Sequence, residues 1–244
     1  MKIDHPKIIC FGEALVDRLG PLGGNPEFDQ PVQDHFGGAP ANVACALAKL
    51  SVPTCFVGRL GEDLIGQKFQ SLLKERGLNL HGLQIDNKLP TRIVLVRRDD
   101  KGERFFEGFV QNPHESFADE ALDLKELINH WPLFSKEASW LLIGTIPLAN
   151  TDSSETLRWC IQDSRKRGIK IALDINWRPK FWDINRSSNR PPTKDEFRLI
   201  SSIFKDVSLF KLAREEAILF FQTDDPILIS RGLPLRPDVV ITDG

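Results

Sequence analysis

Short apolar runs that close in polar or glycine residues recur along this chain with helical patterns between them, and that order restricts the fold more than any single motif. KIICFGEALVD (Lys7 to Asp17), CFVGRLG (Cys55 to Gly61) and IKIALDIN (Ile169 to Asn176) read as buried strands. SWLLIGTI (Ser139 to Ile146), VSLFKLA and DVVITDG supply three further strands of the same form. Helical patterns run from Ala41 to Leu50, from Leu64 to Arg76 with Gly77 as a stop, and from Ser153 to Arg167 with Gly168 as a stop. Strands alternating with helices need a parallel sheet with its crossovers packed on both faces. The fold class is therefore α/β, a doubly wound, mainly parallel sheet, in which ligands are expected beyond the carboxyl ends of the strands. One domain over residues 1–244 is the expectation.

Two stretches break the alternation. TRIVLVRRDDKGERFFEGF (Thr91 to Phe109) holds two extended segments around an Asp-Asp-Lys-Gly turn, which is hairpin chemistry. The pattern leaves open an edge hairpin of the main sheet and a separate flap. Gly20 to Phe36, rich in glycine, proline and polar residues, is the other non-helical insertion. Segments 20–36 and 91–109 together are read as a small β lid. Asn185 to Thr193 reads as a surface loop.

Composition narrows the function classes. A net charge of -2 and an isoelectric point near 6.2 provide no positive field to hold a polyanion, which argues against nucleic acid and for a small metabolite. The apolar run after Lys7 is broken at Gly12 and Glu13, too short for a signal peptide or a membrane span, so a cytoplasmic protein with no membrane partner is expected. Cys10, Cys45, Cys55 and Cys160 lack CxxC spacing and read as reduced thiols. GEDLIGQK (Gly61 to Lys68) is not a P-loop, because Gln67 stands where the lysine is needed and no Ser or Thr follows Lys68. No GxGxxG follows the first strand, which excludes a dinucleotide fingerprint there.

GGAPANVACALAKL (Gly37 to Leu50) sets two glycines before a helix start, where a ligand can approach the backbone and an Asn amide can meet a hydroxyl; a plain turn is the simpler reading. GRLGEDLIGQ (Gly58 to Gln67) adds a second glycine-spaced turn, whose Glu62 and Asp63 read as helix caps. In that order and spacing the two blocks resemble the amino-terminal signature of the pfkB, or ribokinase-like, sugar kinases. GEALVD (Gly12 to Asp17) is similar to the family's first strand with its terminal sugar-binding Asp, and DINWRPKFW (Asp174 to Trp182) to the form taken in fructokinases and 2-keto-3-deoxygluconate kinases.

The resemblance implies that Asp17 accepts hydrogen bonds from two sugar hydroxyls, that Gly37, Gly38 and Asn42 form the sugar-contacting loop, and that Arg178 meets the substrate or a structural partner. Thr91 and Phe106 stand where the family's lid covers the sugar, with apolar packing the alternative for Phe106. On the nucleotide side, KLAREEA (Lys211 to Ala217) matches a segment that in relatives carries NxxE. Ala213 replaces the Asn here, while Glu216 keeps the acid that would order water around magnesium. Lys211, Thr242 and Gly244 become nucleotide neighbours. The implied reaction is transfer of the ATP γ-phosphoryl, with Mg2+ accompanying ATP, to a hexose hydroxyl. Fructose to fructose 6-phosphate is the first choice and 2-keto-3-deoxygluconate the rival, disfavoured because its group commonly carries lid tyrosines and this chain has none. A homodimer through the lid is also implied as an option. No GAGD segment, which in the family bears the general base, occurs in the 244 residues. The carboxyl-terminal part of the fold is therefore expected to be missing, as in a fragment or degenerate copy, and the chain alone to be inactive. A sugar-binding or assembly module is the competing class.

Overall fold

The computed structural model describes residues 7–110, 116–187 and 189–243. Its strands are β1 (Ile8–Phe11), β2 (Leu15–Leu22), β3 (Gln33–Gly37), β4 (Thr54–Gly61), β5 (Asn79–Asp86), β6 (Ile93–Arg98), β7 (Arg104–Phe109), β8 (Trp140–Ile143), β9 (Lys170–Asp174), β10 (Leu209–Ala213) and β11 (Asp238–Thr242). The helices are α1 (Ala39–Lys49), α2 (Leu64–Glu75), α3 (Leu124–Ser135), α4 (Thr151–Lys166), α5 (Pro179–Trp182), α6 (Lys194–Ser201), α7 (Arg214–Phe221) and α8 (Pro226–Arg231). Seven strands form one sheet in the order β11-β10-β9-β8-β1-β4-β5, and every pairing within it is parallel. This is the doubly wound α/β architecture the alternation predicts.

Alternate side chains of each central strand enter opposite faces, and the core divides accordingly. Ile9 and Phe11 of β1, with Cys55 and Val57 of β4, pack with Leu127, Trp131 and Phe134 of α3 and Leu157, Cys160 and Ile161 of α4. Cys10 and Phe56 point the other way, to Ala41 and Ala44 of α1 and Phe69 and Leu73 of α2. Each large apolar side chain buried in this way stabilises the fold by about 1.5–3 kcal/mol. Burial also pushes the thiols up, to about 12 for Cys10, and all four cysteines are free.

The first strand corrects the sequence expectation. Lys7 to Asp17 is not one strand: β1 ends at Phe11, and the chain turns at Gly12, with φ of 151°, before starting β2. A Cβ at Gly12 would lie 2.5 Å from Cγ of Pro40, so α1 packs directly on this joint. Asp17 therefore belongs to a second sheet, of order β3-β2-β6-β7, rather than to the end of a core strand. That sheet decides between edge hairpin and flap in favour of the flap. β6 and β7 pair antiparallel around the Asp-Asp-Lys-Gly turn, and β6 lies parallel to β2, which in turn is antiparallel to β3. The lid thus begins at Leu15, earlier than the proline-rich insertion suggests.

Candidate functional site

The joint after β1, the N-terminus of α1 and the lid strands β2 and β3 meet at one place. Gly38 is the N-cap of α1, with φ of 101°, and a Cβ there would fall 2.4 Å from the Glu13 carbonyl oxygen. Any side chain would be strained in that conformation and would collide with backbone, which is the physical reason for glycine here. The neighbouring Gly37 reports how close the expected sugar-site groups stand. A Cβ on Gly37 would be 3.4 Å from Oδ2 of Asp17 and 3.9 Å from Nδ2 of Asn42. An acceptor carboxylate, an exposed amide and a side-chain-free backbone thus face one small space.

Asp17 is half-buried. Burial raises its carboxyl above the ordinary carboxylate value, while the nearby charges of His35, Arg104 and Arg178 act against that rise. Arg178 of the sequence expectation therefore does stand by Asp17, although it is far off in the chain. His35 and Arg104 were missed by sequence reasoning; cross-strand register is the signal, since β3 sets His35 directly opposite Asp17. Arg178 also donates to the Trp177 carbonyl at 3.0 Å, and Trp177, Arg178, Pro179, Lys180, Phe181 and Phe106 line a cleft of about 270 Å³. Phe106 lines this cleft and packs edge-on against Phe109 at 5.3 Å between ring centroids, the apolar role of the sequence reading.

Thr91 is placed differently from the lid-covering position. It precedes β6 and is buried, its hydroxyl accepting from Gly61 N–H at 3.0 Å and its own N–H donating to Asp63 at 2.6 Å. Asp63 meanwhile caps α2 by accepting from Gly66 N–H at 2.8 Å, as the sequence predicts. Thr91 fastens the base of the lid to α2 because Gly66 leaves room for it, its Cβ position being 2.8 Å from the Thr91 hydroxyl.

The next residue builds a second anchor. The side chain of Arg92 is 3% exposed and forks onto Asp119 at 2.9 and 3.0 Å, also reaching Glu120. Its guanidinium lies 4.7, 4.4 and 5.0 Å from the ring centroids of Phe109, Phe117 and Phe181. The Arg92 carbonyl accepts from Val16 N–H at 3.0 Å, so this buried cluster sits one residue from Asp17.

The residues expected near nucleotide gather further along the strand ends. Lys211 on β10 is 3.2 Å from Asp174 on β9, and the Thr242 hydroxyl on β11 donates to the Leu212 carbonyl at 3.4 Å. Glu216 is buried in the first turn of α7 and engages both oxygens with backbone: Oε1 accepts from Trp177 N–H at 2.7 Å and Oε2 from Ala213 N–H at 2.8 Å. Glu216 thereby couples β10 to the segment that carries Arg178. Gly244 lies outside the described residues. Among the described residues no three His, Cys, Asp or Glu side chains are grouped to hold a metal ion, and both Glu216 oxygens are already taken by backbone N–H groups. No helix among them is long and apolar enough to cross a membrane.

Residues 5–230 match the model of the pfkB family of carbohydrate kinases. The chain is 30% identical over 225 residues to the probable chloroplastic fructokinase-6 of Arabidopsis thaliana, covering 91% of this chain and 54% of that protein. It is 31% identical over 224 residues to a fructokinase of Vibrio alginolyticus, covering 91% and 64%. The chain thus spans between half and two thirds of the length of these relatives. Among solved structures, the fructokinase of Vibrio cholerae O395 in its fructose, ADP and calcium ion bound form superposes with a TM-score of 0.73 at 25% identity, covering 98% of this chain and 70% of that one.

Proposed function

Because the chain belongs to the pfkB family of carbohydrate kinases, we propose that it carries the acceptor site of an ATP-dependent sugar kinase, with fructose as the sugar and its primary hydroxyl as the phosphoryl acceptor. The observation that carries this reading is the convergence of Asp17, Gly37 and Asn42 on one space beneath a four-stranded lid. In this reading the Asp17 carboxylate accepts from two sugar hydroxyls, the Asn42 amide meets a third, and Gly37 and Gly38 let the ring approach the backbone. Arg104 and Arg178 flank Asp17 and favour its ionised form. Phe106 covers the apolar side of the sugar, and lid closure would exclude water, as phosphoryl transfer requires. Lys211 and Thr242, with Gly244, are assigned to the nucleotide side. ATP would bring Mg2+ on its phosphates, with Glu216 acting on the ion only through water, since both of its oxygens already accept backbone N–H groups.

The reading extends to a cytoplasmic enzyme that can pair through the outer face of the lid; on the lid strands Leu22 and Phe105 are exposed. The second reading is an acid sugar such as 2-keto-3-deoxygluconate, favoured by the two guanidinium groups beside Asp17. Calorimetric titration of fructose and of 2-keto-3-deoxygluconate, with Asp17→Ala alongside, is the test. Loss of a charged acceptor that faces hydroxyls costs roughly 1.5–3 kcal/mol, so fructose affinity is expected to fall about 10- to 100-fold. Unchanged affinity in Asp17→Ala removes the site, and preference for the acid moves the reading to the second sugar.

A further inference from the structure

The joint between the sheet and the lid contains a carboxyl group that the proposed chemistry does not use. Glu13 lies between Phe11, the last residue of β1, and Leu15, the first of β2, and is 3% exposed. Its Oε1 accepts from Ala39 N–H at 3.0 Å, in the first turn of α1, while Oε2 is buried without a hydrogen-bond partner. The backbone of the same residue is pressed against Gly38, whose Cβ position is 2.4 Å from the Glu13 carbonyl oxygen. Glu13 therefore holds α1 by both main chain and side chain, between Asp17 on one arm of the joint and Gly37 and Asn42 on the other.

We infer that Glu13 is a positioning residue for the acceptor: it ties the sheet–lid joint to the first turn of α1 and thereby sets where Asp17 stands relative to Gly37 and Asn42. This rests on the acceptor-site reading above. The carboxyl sits in an environment that penalises charge. Burial raises its pKa to about 7, with Asp119 adding to the rise and the two backbone N–H groups and Arg92 opposing it. Below about pH 7 the closed joint therefore holds Glu13 protonated, whereas an opened joint that lets water reach it would ionise it at ordinary carboxylate values, so the two arrangements differ in protonation from that range up to about pH 7. Rising pH shifts the population toward the opened arrangement, and a sugar that needs the closed one binds more weakly.

The test is fructose affinity by calorimetry at pH 6 and pH 8 for the unaltered chain, Glu13→Gln and Glu13→Ala. Glutamine keeps an acceptor for Ala39 N–H and cannot ionise. The unaltered chain is expected to bind fructose about threefold or more weakly at pH 8 than at pH 6, and Glu13→Gln to bind equally at both. Reading the difference between the two proteins cancels the contribution of His35, present in each. Glu13→Ala is expected to lose about tenfold at pH 6, with Glu13→Gln restoring affinity to within about twofold of the unaltered chain. A purely structural role would not give a pH dependence that glutamine abolishes. The inference is overturned if Glu13→Gln keeps the full pH dependence, or if Glu13→Ala binds as the unaltered chain does; where Glu13→Ala does not fold, the glutamine comparison decides. Absence of binding of both fructose and 2-keto-3-deoxygluconate by the unaltered chain overturns the acceptor-site reading first, and this role with it.

Discussion

Removing the carboxylate from Asp119 tests whether the lid is anchored by buried charge. Asp119 and Arg92 have side chains that are each 3% exposed, and three N–H···O contacts of 2.9 to 3.2 Å join them. In Asp119→Asn the guanidinium stays in place among Phe109, Phe117 and Phe181 with only Glu120 to compensate it. Breaking a buried pair from one side costs about 3–5 kcal/mol, because the surviving charge has lost its hydration as well as its partner. Glu120 remains, so the lower end, about 3 kcal/mol, is expected for Asp119→Asn. Arg92→Met should cost a similar amount, since Asp119 and Glu120 are then left together without a cation. The double variant leaves a single carboxyl, at Glu120, which can protonate, and should be less destabilised than the sum of the singles by about 2 kcal/mol or more. Urea unfolding at equilibrium, followed by tryptophan fluorescence and extrapolated linearly, measures all three. A loss below about 1 kcal/mol in Asp119→Asn, or additivity within about 0.5 kcal/mol in the double variant, would refute the buried-anchor argument.

Two further outcomes follow from the same geometry. Gly38→Ala combines a φ of 101° with a Cβ 2.4 Å from the Glu13 carbonyl, and should destabilise the chain by about 2–4 kcal/mol in thermal or urea unfolding. Gly108→Ala, where an added Cβ meets no atom within 4 Å, should stay within about 1 kcal/mol, and equal effects at the two sites would count against the steric account. Fructose should slow amide hydrogen exchange in β2, β3, β6 and β7 together, as one closing sheet; protection confined to the seven-stranded sheet would show that the lid does not close on sugar.

The sequence by itself determined the architecture and the composition of the site. Apolar runs of strand length alternating with helical patterns leave little but a parallel sheet covered on both faces, because parallel neighbours need crossovers. Helices α2 and α4 end just before Gly77 and Gly168, as the stop signals foretell. Local chemistry also identified Asp63 as a cap, while the family resemblance singled out Asp17, Gly37 and Asn42, which the fold brings close together. The pattern did not name β5, whose half-buried residues lack a continuous apolar run, or α3, which carries Pro132 inside it.

Only tertiary structure decided where the first strand breaks, since a Gly12 inside an apolar run looks the same in the sequence whether or not Pro40 packs against it. It also placed the Thr91 hydroxyl on the Gly61 N–H, a contact 30 residues away in the sequence. His35 and Arg104 reach Asp17 through the lid sheet, and Arg178 reaches it from the segment after β9. Periodicity fixes which elements form, because it acts over neighbouring residues. Which charges face one another, and whether Glu13 and Arg92 are buried with partners, is set by distances between segments that meet only when the chain has folded.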